Sequence, residues 1–416
     1  MKILVLNSGS SSQKSSLYEI GDAIPAHPPA ALWEGKIEWE KREAKMEIRG
    51  ARGAELSKRV RADSRKDAVE QLLDALWSGE TRAVASPAEI GVVGHRVVHG
   101  GGEYQQPTVI TPAVRESLAR LAIFAPLHNR AELEGMEVVE KRLGAVTQIA
   151  VFDTAFHSRM PGAAFVYPGP YEWLAQGIRR YGFHGINHQY CAERAAEMLN
   201  KELVSLRLVT CHLGNGCSLA AIQNGHSVDT TMGFTPLEGL MMGTRSGSVD
   251  PGILTYLMRG GKVKAEEMDE LLNEKSGLLG ISGASSDMRQ IIAAMKAGHA
   301  RAKLAFDIFV HRLRRGIGEM IAVLGGIDAL IFTAGIGENS AEVRAAACEK
   351  FEYMGMKLDA QKNGRDGEDR EISASGSAAS VMVIHAQEDW AIARECWRMR
   401  TATSGGRGLT SSPRTV

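Results

Sequence analysis

Residues 2–20 read KILVLNSGSSSQKSSLYEI, an apolar run that ends in a turn of glycine and serine. Ile3–Leu6 are apolar, Asn7 follows them, and Gly9 stands among four serines ahead of Lys14. A short β-rich run followed by small polar residues predicts a strand, a turn and a second strand. Backbone N–H groups in such a turn favour an anion, so the stretch predicts a phosphate-binding hairpin. It lacks the Gly-Lys-Ser/Thr ending of a P-loop.

A second stretch repeats this pattern in the other half of the chain. From Val209 the sequence reads VTCHLGNGCSLAAIQNGHS, again strand, turn and strand, with Gly214 in register with Gly9. Two such turns, one near the start of each half, suggest two related domains that face one polyphosphate. Small-residue turns between strands are also common by chance, so the repeat alone leaves both readings open.

Short β-rich runs alternate with helical patterns along the chain, which predicts an α/β protein. Residues 295–324 read as one long helix, and Asn339 with Glu342 indicates another helix start. From Thr401 onward the chain has almost nothing to bury, so we expect a disordered tail over 401–416. The predicted strands are Ile3–Leu6, Val92–Val98, Gln148–Phe152, Leu208–His212, Ala329–Ala334 and Ser380–Ile384.

The composition is that of a globular protein with enough apolar material for a core. The chain has 416 residues, of which 44% are hydrophobic and 24% charged, and its formal net charge is zero. A neutral chain is not attracted over a distance to nucleic acid or to an anionic membrane. No run approaches the roughly 20 apolar residues of a membrane span, and the five cysteines lack metal-binding or redox spacing. We therefore expect a cytoplasmic protein with neither nucleic acid nor membrane as a partner.

Several familiar motifs are absent, and a different set of polar segments remains. The sequence holds no GxxxxGK[ST], GxGxxG, HExxH or GxSxG. Glycine-dense segments instead carry charged residues near the ends of predicted strands, where α/β sheets build sites. Taken singly, each has an ordinary structural explanation as an ion pair, a core histidine or a helix cap. The segments are GHRVVHGGGEY with Arg96, VFDTAFHSRMP with Asp153, RRYGFHGINH with His184, MGFTPLEGLMMGTRSGSVDPG with Arg245 and GLLGISGASSDMR with Asp287–Arg289.

Together with NSGSSSQK, APLHN, CHLGNGCS and FTAGIGENS, these segments resemble the signature blocks of the acetate kinase family in order and spacing. The resemblance covers residues 2 to about 395. It implies an α/β protein with a duplicated ribonuclease H-like (actin-like ATPase) fold and two domains around a nucleotide cleft. It also implies a first domain of residues 1–152 plus 386–400 and a second domain of residues 153–385.

The resemblance implies reversible, Mg²⁺-dependent, in-line phosphoryl transfer from the co-substrate ATP to acetate, giving acetyl phosphate and ADP. Such transfer needs positioning and charge neutralisation. Arg96 matches the position that binds the substrate carboxylate and phosphoryl group, and Arg245 and His184 match positions that stabilise the transition state. Asp153 matches a residue described as a catalytic acid or base. Acetate has no proton to give at neutral pH, so we expect Asp153 to orient Arg96, Arg245 or metal-bound water.

Further binding positions carry over by the same resemblance. Asn7 and Glu388 match the Mg²⁺ ligands, with Mn²⁺ as the alternative metal. The positions that match phosphate contacts are Lys14, His212, Leu213, Gly214, Asn215 and Gly216. Those that match the adenosine site are Asp287, Met288, Arg289, Gly335, Ile336, Gly337, Glu338 and Asn339. Those that match a pocket for the methyl group are Val98, Leu127, Phe183 and Pro236.

The chain also departs from the family pattern. Arg130 stands where proline is usual, Ile186–Asn187 where threonine–serine is usual, and Ser248 where aspartate is usual, and the residues before Glu388 differ as well. Propionate kinase, or another short-chain carboxylate kinase, is therefore an alternative, although propionate kinases tend to carry alanine at the position of Val98. An actin-like ATPase without a synthetic role is a second alternative, but it would not need both arginines beside an apolar pocket. By analogy with the family we expect a homodimer.

Overall fold

The computed structural model describes residues 1–9, 12–40, 43–50, 53–61, 64–122, 126–261 and 263–404. The chain divides into two compact units. The first comprises Met1–Ala155 together with the chain from Gln387 onward, and the second comprises Phe156–Ala386. Each unit has its own β-sheet, and each is described by itself below.

The first unit is built on an eight-stranded sheet. Its strands are β1 (Lys2–Ser8), β2 (Ser12–Glu19), β3 (Trp33–Glu40), β4 (Glu43–Arg49), β5 (Glu55–Arg61), β6 (Ile90–Val97), β7 (Thr108–Val109) and β8 (Thr147–Phe152). The order across the sheet is β5-β4-β3-β2-β1-β6-β8-β7. Strands β1 to β5 form an antiparallel meander, β6 and β8 run parallel to β1, and β7 is antiparallel to β8.

Helices α1 (Arg65–Asp74), α2 (Pro112–Leu121) and α3 (Pro126–Leu143) belong to this unit. Alternating apolar positions of the central strands pack against α1 and α3, so that Leu4, Trp33, Leu72 and Val139 share one buried core. The apolar stretch after Lys2 is therefore buried at the centre of the sheet, where the sequence places a strand.

The second unit repeats the strand order of the first. Its strands are β9 (Arg207–Leu213), β10 (Cys217–Gln223), β11 (His226–Thr230), β12 (Ala329–Thr333), β13 (Arg370–Glu371) and β14 (Ser380–Val383). They lie in the order β11-β10-β9-β12-β14-β13, with an antiparallel meander on one side and parallel strands on the other. The directions match those of β3-β2-β1-β6-β8-β7 strand for strand. The expected duplicated fold is thus visible in the topology of both sheets.

The helices of the second unit are α4 (Gly162–Phe165), α5 (Glu172–Ala175), α6 (Gly185–Leu199), α7 (Pro251–Arg259), α8 (Ala265–Glu274), α9 (Gly277–Ser282), α10 (Met288–Lys296), α11 (Ala300–Leu324), α12 (Ala334–Asn339), α13 (Ala341–Cys348) and α14 (Ala360–Asn363). Short 3₁₀ segments of the chain cover Pro87–Glu89, Ala155–His157, Leu203–Ser205 and Glu349–Met354. Across the described ranges, no helix combines the length and apolarity needed to cross a bilayer.

Two helix boundaries differ from those the sequence predicts. Residues 295–324 are not one helix, because α10 ends at Lys296 and α11 begins at Ala300, after Gly298 adopts a φ of 87°. His299 caps α11 by accepting the backbone N–H of Ala302. The predicted start at Asn339 is one residue early, since the Ser340 hydroxyl caps α13.

The last helix, α15 (Glu388–Ser404), returns to the first unit and packs on β1 and β6. Gly94 of β6 permits this contact: a β-carbon there would lie 2.6 Å from Cys396 Sγ and 2.7 Å from Ile392 Cγ2. Residues 401–404, predicted as the start of a tail, are the end of α15. Residues 405–416 lie outside the described part of the chain.

Candidate active site

The first predicted phosphate turn joins β1 to β2. In this antiparallel hairpin Asn7 lies opposite Lys14, so both side chains project from the same face of the sheet. The Gly9 N–H donates to the Ser12 carbonyl at 2.7 Å across the turn. Residues 10–11, the middle of the predicted turn, lie outside the described residues. The flanks of the turn place a lysine and an amide side by side, a combination that can face an anion.

The second predicted turn, Gly214–Gly216, joins β9 to β10. The long loop that carries Arg245 docks against it, because the Gly243 N–H donates to the Asn215 carbonyl at 3.2 Å. A β-carbon on Gly243 would lie 2.3 Å from Asn215 Oδ1, so the Asn215 side chain would have to shift if any other residue stood there. The glycine-rich composition of the loop therefore serves to bring its arginine to the turn.

His184 and Arg245 converge on this second turn. His184 Nε2 and Arg245 Nη1 each lie 3.5 Å from the place that a Gly216 β-carbon would occupy. Arg245 Nη1 also donates to the Pro236 carbonyl at 3.2 Å, which fixes the direction of the guanidinium. Burial lowers the pKa of Arg245, opposed by the Cys217 thiol, but a guanidinium remains charged in proteins. Glycine adds no side chain at this point, so a space bordered by two N–H donors is left for an anion.

The backbone and the second ring nitrogen of His184 are both constrained. His184 precedes α6 with φ 57° and ψ 21°, a left-handed conformation that is strained for any residue with a β-carbon. Its Nδ1 lies 2.9 Å from Ser218 Oγ, and that hydroxyl lies 2.7 Å from His188 Nε2. His188 Nδ1 is in turn 2.7 Å from Thr210 Oγ1. Burial lowers the pKa of His188 well below its ordinary value, so this second ring is neutral.

Arg96 of β6 forms a nearly buried ion pair with Asp153, which follows β8. Arg96 Nε donates to Asp153 Oδ1 at 3.1 Å and Nη2 donates to Oδ2 at 2.6 Å, a bidentate geometry. The side chains are 14% and 2% exposed, respectively. Burial disfavours the charged guanidinium, but Asp153 and Glu388 outweigh it and raise the pKa of Arg96. Of the three orienting roles expected for Asp153, the structure shows the contact to Arg96.

Asn7 joins this ion pair to the C-terminal helix. Its Oδ1 accepts from Arg96 Nη1 at 3.2 Å, and its Nδ2 donates to Glu388 Oε2 at 3.2 Å and to Asp389 Oδ1 at 2.9 Å. The Ser16 hydroxyl donates to the other Asp389 oxygen at 2.7 Å. The amide nitrogen of Asn7 therefore meets two carboxylates from the other end of the chain, while the amide oxygen faces Arg96. Asp389 and Ser16 were not predicted for this cluster.

The Glu388 carboxylate is the kind of ligand that Mg²⁺ takes, with water and phosphate completing the shell. The Asn7 oxygen would join it only after rotation of the amide, because here that oxygen accepts from Arg96. Within the described ranges, no group of three or more His, Cys, Asp and Glu side chains is arranged to hold a metal ion. A two-ligand site of the kind expected for Asn7 and Glu388 is compatible with that finding, because substrate phosphates would supply the remaining oxygens.

The predicted methyl-pocket residues lie in both units. Val98 is buried, and its backbone N–H donates to Glu132 Oε1 at 2.9 Å. Burial raises the pKa of Glu132 to about 8; this acid escaped the sequence analysis because nothing distinguishes it from other helix glutamates. Phe183 is buried and Pro236 half-buried. The side chain of Leu127 lies outside the described residues.

A cavity of about 900 Å³ in the second unit brings together three of the segments predicted to bind the nucleotide. Its lining comprises Gly214, Asn215, Ser286, Asp287, Met288, Arg289, Ile292, Gly335, Ile336, Asn339, Ser340 and Glu342. Ser286, Ile292, Ser340 and Glu342 were not predicted. They extend the predicted segments by one to three residues, so their exclusion reflects where each motif was taken to end.

Glu338, also predicted at this site, has a different contact. Its Oε1 accepts the backbone N–H groups of Ala334 and Ala386, each at 2.8 Å. Ala334 has a φ of 63°, which is a strained conformation for alanine. The Glu338 carboxylate therefore stabilises the strained turn between β12 and α12.

The fold and this site define the class of the protein. The mixed α/β architecture with two sheets of matching order is the actin-like ATPase fold. The acetate kinase of Porphyromonas gingivalis superposes with a TM-score of 0.88 at 40% identity, covering 96% of this chain and 99% of that one. A propionate kinase from Francisella tularensis superposes with a TM-score of 0.86 at 37% identity, covering 95% and 99%.

The sequence relatives agree with the structural ones. An acetate kinase from a Cyanothece species is 58% identical over 401 residues, covering 96% of this chain and 98% of the relative. One from Gloeobacter violaceus is 59% identical over 409 residues, covering 96% and 99%. The acetokinase family profile matches residues 2–394. The chain belongs to the acetokinase family, as the signature blocks predicted.

Replacing Asp153 with asparagine should test the importance of the buried ion pair. We expect the free energy of unfolding to fall by about 3–5 kcal/mol, because removal of one partner leaves a buried charge uncompensated. Urea denaturation measures this change. The matched control is Asp307→Asn, which breaks an exposed pair with Lys303 at 2.6 Å and should cost about 0–1 kcal/mol. Equal losses in the two variants would contradict the prediction.

Proposed function

We propose that this chain catalyses the reversible transfer of the terminal phosphoryl group of ATP to acetate, giving acetyl phosphate and ADP. The observation that carries the proposal is the convergence of His184 Nε2 and Arg245 Nη1 on the space above Gly216. That space adjoins the turn that also lines the large cavity. Membership of the acetokinase family and the names of the relatives support the same reaction.

The nucleotide would bind through its phosphates and its adenosine at different places. Lys14 and residues 212–216 would contact the phosphates, the latter through backbone N–H groups of a turn that glycine leaves open. Residues 287–289 and 335–339 would hold the adenosine in the cavity that they line in part. This division accounts for the presence of both a charged turn and a larger, mixed polar and apolar recess.

Acetate would be bound by Arg96, whose planar guanidinium can hold two oxygens at once. Asp153 would keep that guanidinium oriented without itself taking a proton, since acetate is already ionised. Val98, Leu127, Phe183 and Pro236 would accommodate the methyl group. One methylene is worth only about 1–3 kcal/mol in such a pocket, so some propionate turnover is expected. The similarity to a propionate kinase keeps that activity as the second candidate.

In the transfer step His184 and Arg245 would donate hydrogen bonds to oxygens of the migrating phosphoryl group. Charge on those oxygens grows as the group leaves ADP, and fixed donors stabilise it without reorganising. No general base is needed, because the attacking oxygen carries no proton. The ring of His184 is held by Ser218 and the guanidinium of Arg245 by the Pro236 carbonyl, so both donors are set in advance.

Asn7 and Glu388 would hold Mg²⁺, or Mn²⁺ as the alternative. When bound, the ion would supply positive charge that neutralises the phosphate oxygens and helps to fix their position. We further propose that the first domain, residues 1–152 with 386–400, supplies Lys14 and the metal ligands. The second domain, residues 153–385, would supply the nucleotide site and the two transition-state donors.

We also propose a cytoplasmic homodimer. The observation behind the dimer is α7, none of whose residues is buried in the single chain. Ile253, Tyr256 and Met258 on this helix are 48%, 67% and 47% exposed. An apolar helix face left exposed in this way marks an interaction surface, and a second copy is the partner that the family analogy suggests. All five cysteines are buried thiols, which suits a reducing compartment.

Trapping acyl phosphate with hydroxylamine tests the reaction directly. With ATP and Mg²⁺, we expect acyl hydroxamate from acetate, less from propionate, and little from formate or butyrate. Arg96→Ala and Arg245→Ala should each lower the rate by about a hundredfold or more, because each removes charge from the transferring group. ATP hydrolysis without hydroxamate from any acid would instead indicate a non-synthetic ATPase and overturn the proposal.

The metal site is tested by Glu388→Gln. We expect the Mg²⁺ concentration for half-maximal rate to rise about tenfold or more, because a neutral amide binds the ion more weakly than a carboxylate. Glu395→Gln on the same helix, which breaks a pair with Arg398, is the control and should leave that concentration unchanged. An unaltered Mg²⁺ requirement in Glu388→Gln would rule out this residue as a ligand.

The dimer is tested by Tyr256→Asp, which places a charge on the exposed face of α7. We expect the variant to elute and sediment as a monomer where the parent chain forms a dimer, because burying an unpaired charge in an apolar interface is costly. Tyr353→Asp is the control, since Tyr353 is 83% exposed on a different segment. A monomeric parent chain, or a variant that remains dimeric, would count against this interface.

A further inference from the structure

Asn187, in the first turn of α6, is hydrogen-bonded to a ring of the nucleotide turn. Its Nδ2 lies 2.9 Å from Nδ1 of His212 and 3.3 Å from the hydroxyl of Thr333. Its Oδ1 accepts from the Cys191 thiol at 3.7 Å. Asn187 is completely buried, so both ends of its amide are committed to neighbours within the protein.

With the amide in this orientation, the contact indicates which nitrogen of His212 carries the proton. An amide nitrogen has only hydrogens to offer, so the facing Nδ1 of His212 has to act as an acceptor. A ring with a bare Nδ1 is neutral and carries its proton on Nε2. Nε2 of His212 lies 3.7 Å from the place that a Gly214 β-carbon would occupy, and the N–H is therefore at the glycine turn.

The charge of His212 also matters to His184, because the two rings are stacked. Their centroids are 4.0 Å apart and their planes 11° from parallel. Two positive rings at that separation would repel each other, and the repulsion would be strong in a partly buried site. A neutral His212 removes this obstacle, so that His184 can carry a proton toward an anionic group above Gly216.

We propose that Asn187 is a positioning residue that holds His212 as a neutral ring with its proton on Nε2. The turn then presents an N–H to the nucleotide phosphates, and the stacked His184 can be charged during transfer. The role rests on the proposed kinase function, since it gives that function's phosphate turn and transition-state donor their protonation states.

The charged and titratable groups next to the pair include His188 and Arg245, which lie on separate elements. His188 of α6 has its ring centroid 6.1 Å from that of His212 and is kept neutral by burial. Arg245 approaches His184 over Gly216 from the loop before α7. A charged His212 would therefore add to the positive charge that Arg245 already brings to His184.

Nitrogen NMR of the wild-type chain, with ¹⁵N in its histidines, tests the inference without any assay of activity. The shifts of Nδ1 and Nε2 distinguish a bare ring nitrogen from a protonated one. We expect His212 to show a bare Nδ1 and a protonated Nε2, unchanged between about pH 8 and pH 6, where an ordinary histidine titrates. A proton on Nδ1 would mean that Asn187 presents its oxygen, and would overturn the proposal.

Variants then separate positioning from mere support of the fold. Asn187→Asp offers an acceptor to Nδ1, so His212 should become a cation over the same pH range. The turnover rate should fall by about tenfold or more, with the KM for acetate changed less than twofold. Asn187→Leu keeps the volume but loses the bond. Gln189→Leu on the same helix is the control, since the half-buried Gln189 donates to Glu193 Oε1 at 3.0 Å.

The outcomes are distinguishable from failure of the kinase assignment. Loss of hydroxamate formation by the wild-type chain would overturn the proposed function and leave the His212 protonation state as measured. Retention of full turnover in Asn187→Asp, with His212 shown to be a cation, would overturn the positioning role alone.

Discussion

The cationic and hydrogen-donating side chains of the candidate site in each unit are held in place by other groups of the same unit. Arg96 donates two hydrogen bonds to the Asp153 carboxylate. Arg245 donates a hydrogen bond to the Pro236 carbonyl, and the ring of His184 is hydrogen-bonded to the Ser218 hydroxyl. A flexible arginine would lose conformational entropy when it bound a substrate, and this loss would weaken binding. These groups are already ordered before any substrate binds. The restraints are therefore as much a part of the site as the groups that face the anion.

The repeated sheet explains why the polar groups within each unit lie together. In the first unit β1, β6 and β8 run parallel, so their carboxyl ends share one edge, where Asn7, Arg96 and Asp153 lie. In the second unit β9 and β12 are related in the same way and bring His212 and Thr333 to one edge. Parallel strands bury their middles and expose their ends, and so the ends are where polar chemistry can be placed. Duplication supplied this edge twice.

Two turns of the second unit have a strained backbone. His184 and Ala334 both adopt a left-handed backbone without being glycine, one before α6 and the other after β12. Such conformations persist only where the surroundings enforce them, as Glu338 does through the N–H of Ala334. Asn187 lies between these two points and bonds to both neighbouring strands. Asn187 therefore links the start of α6 to the ends of the strands that carry His212 and Thr333.

The sequence by itself determined the central strands, the two glycine hairpins and the family, because apolar runs of strand length and turn residues act locally. It also placed Arg96, Asp153, His184 and Arg245 in glycine-rich segments after strands. It did not predict the break between α10 and α11, where Gly298 adopts a positive φ and interrupts an otherwise continuous helical pattern. Only the tertiary structure decided which side chains contact each other. These contacts are the ion pair of Asp153 with Arg96, the hydrogen bonds of Asn7 to α15, and the hydrogen bond between Asn187 and His212. Those contacts link residues tens to hundreds of positions apart, and no local propensity encodes a pairing that depends on how strands and helices pack.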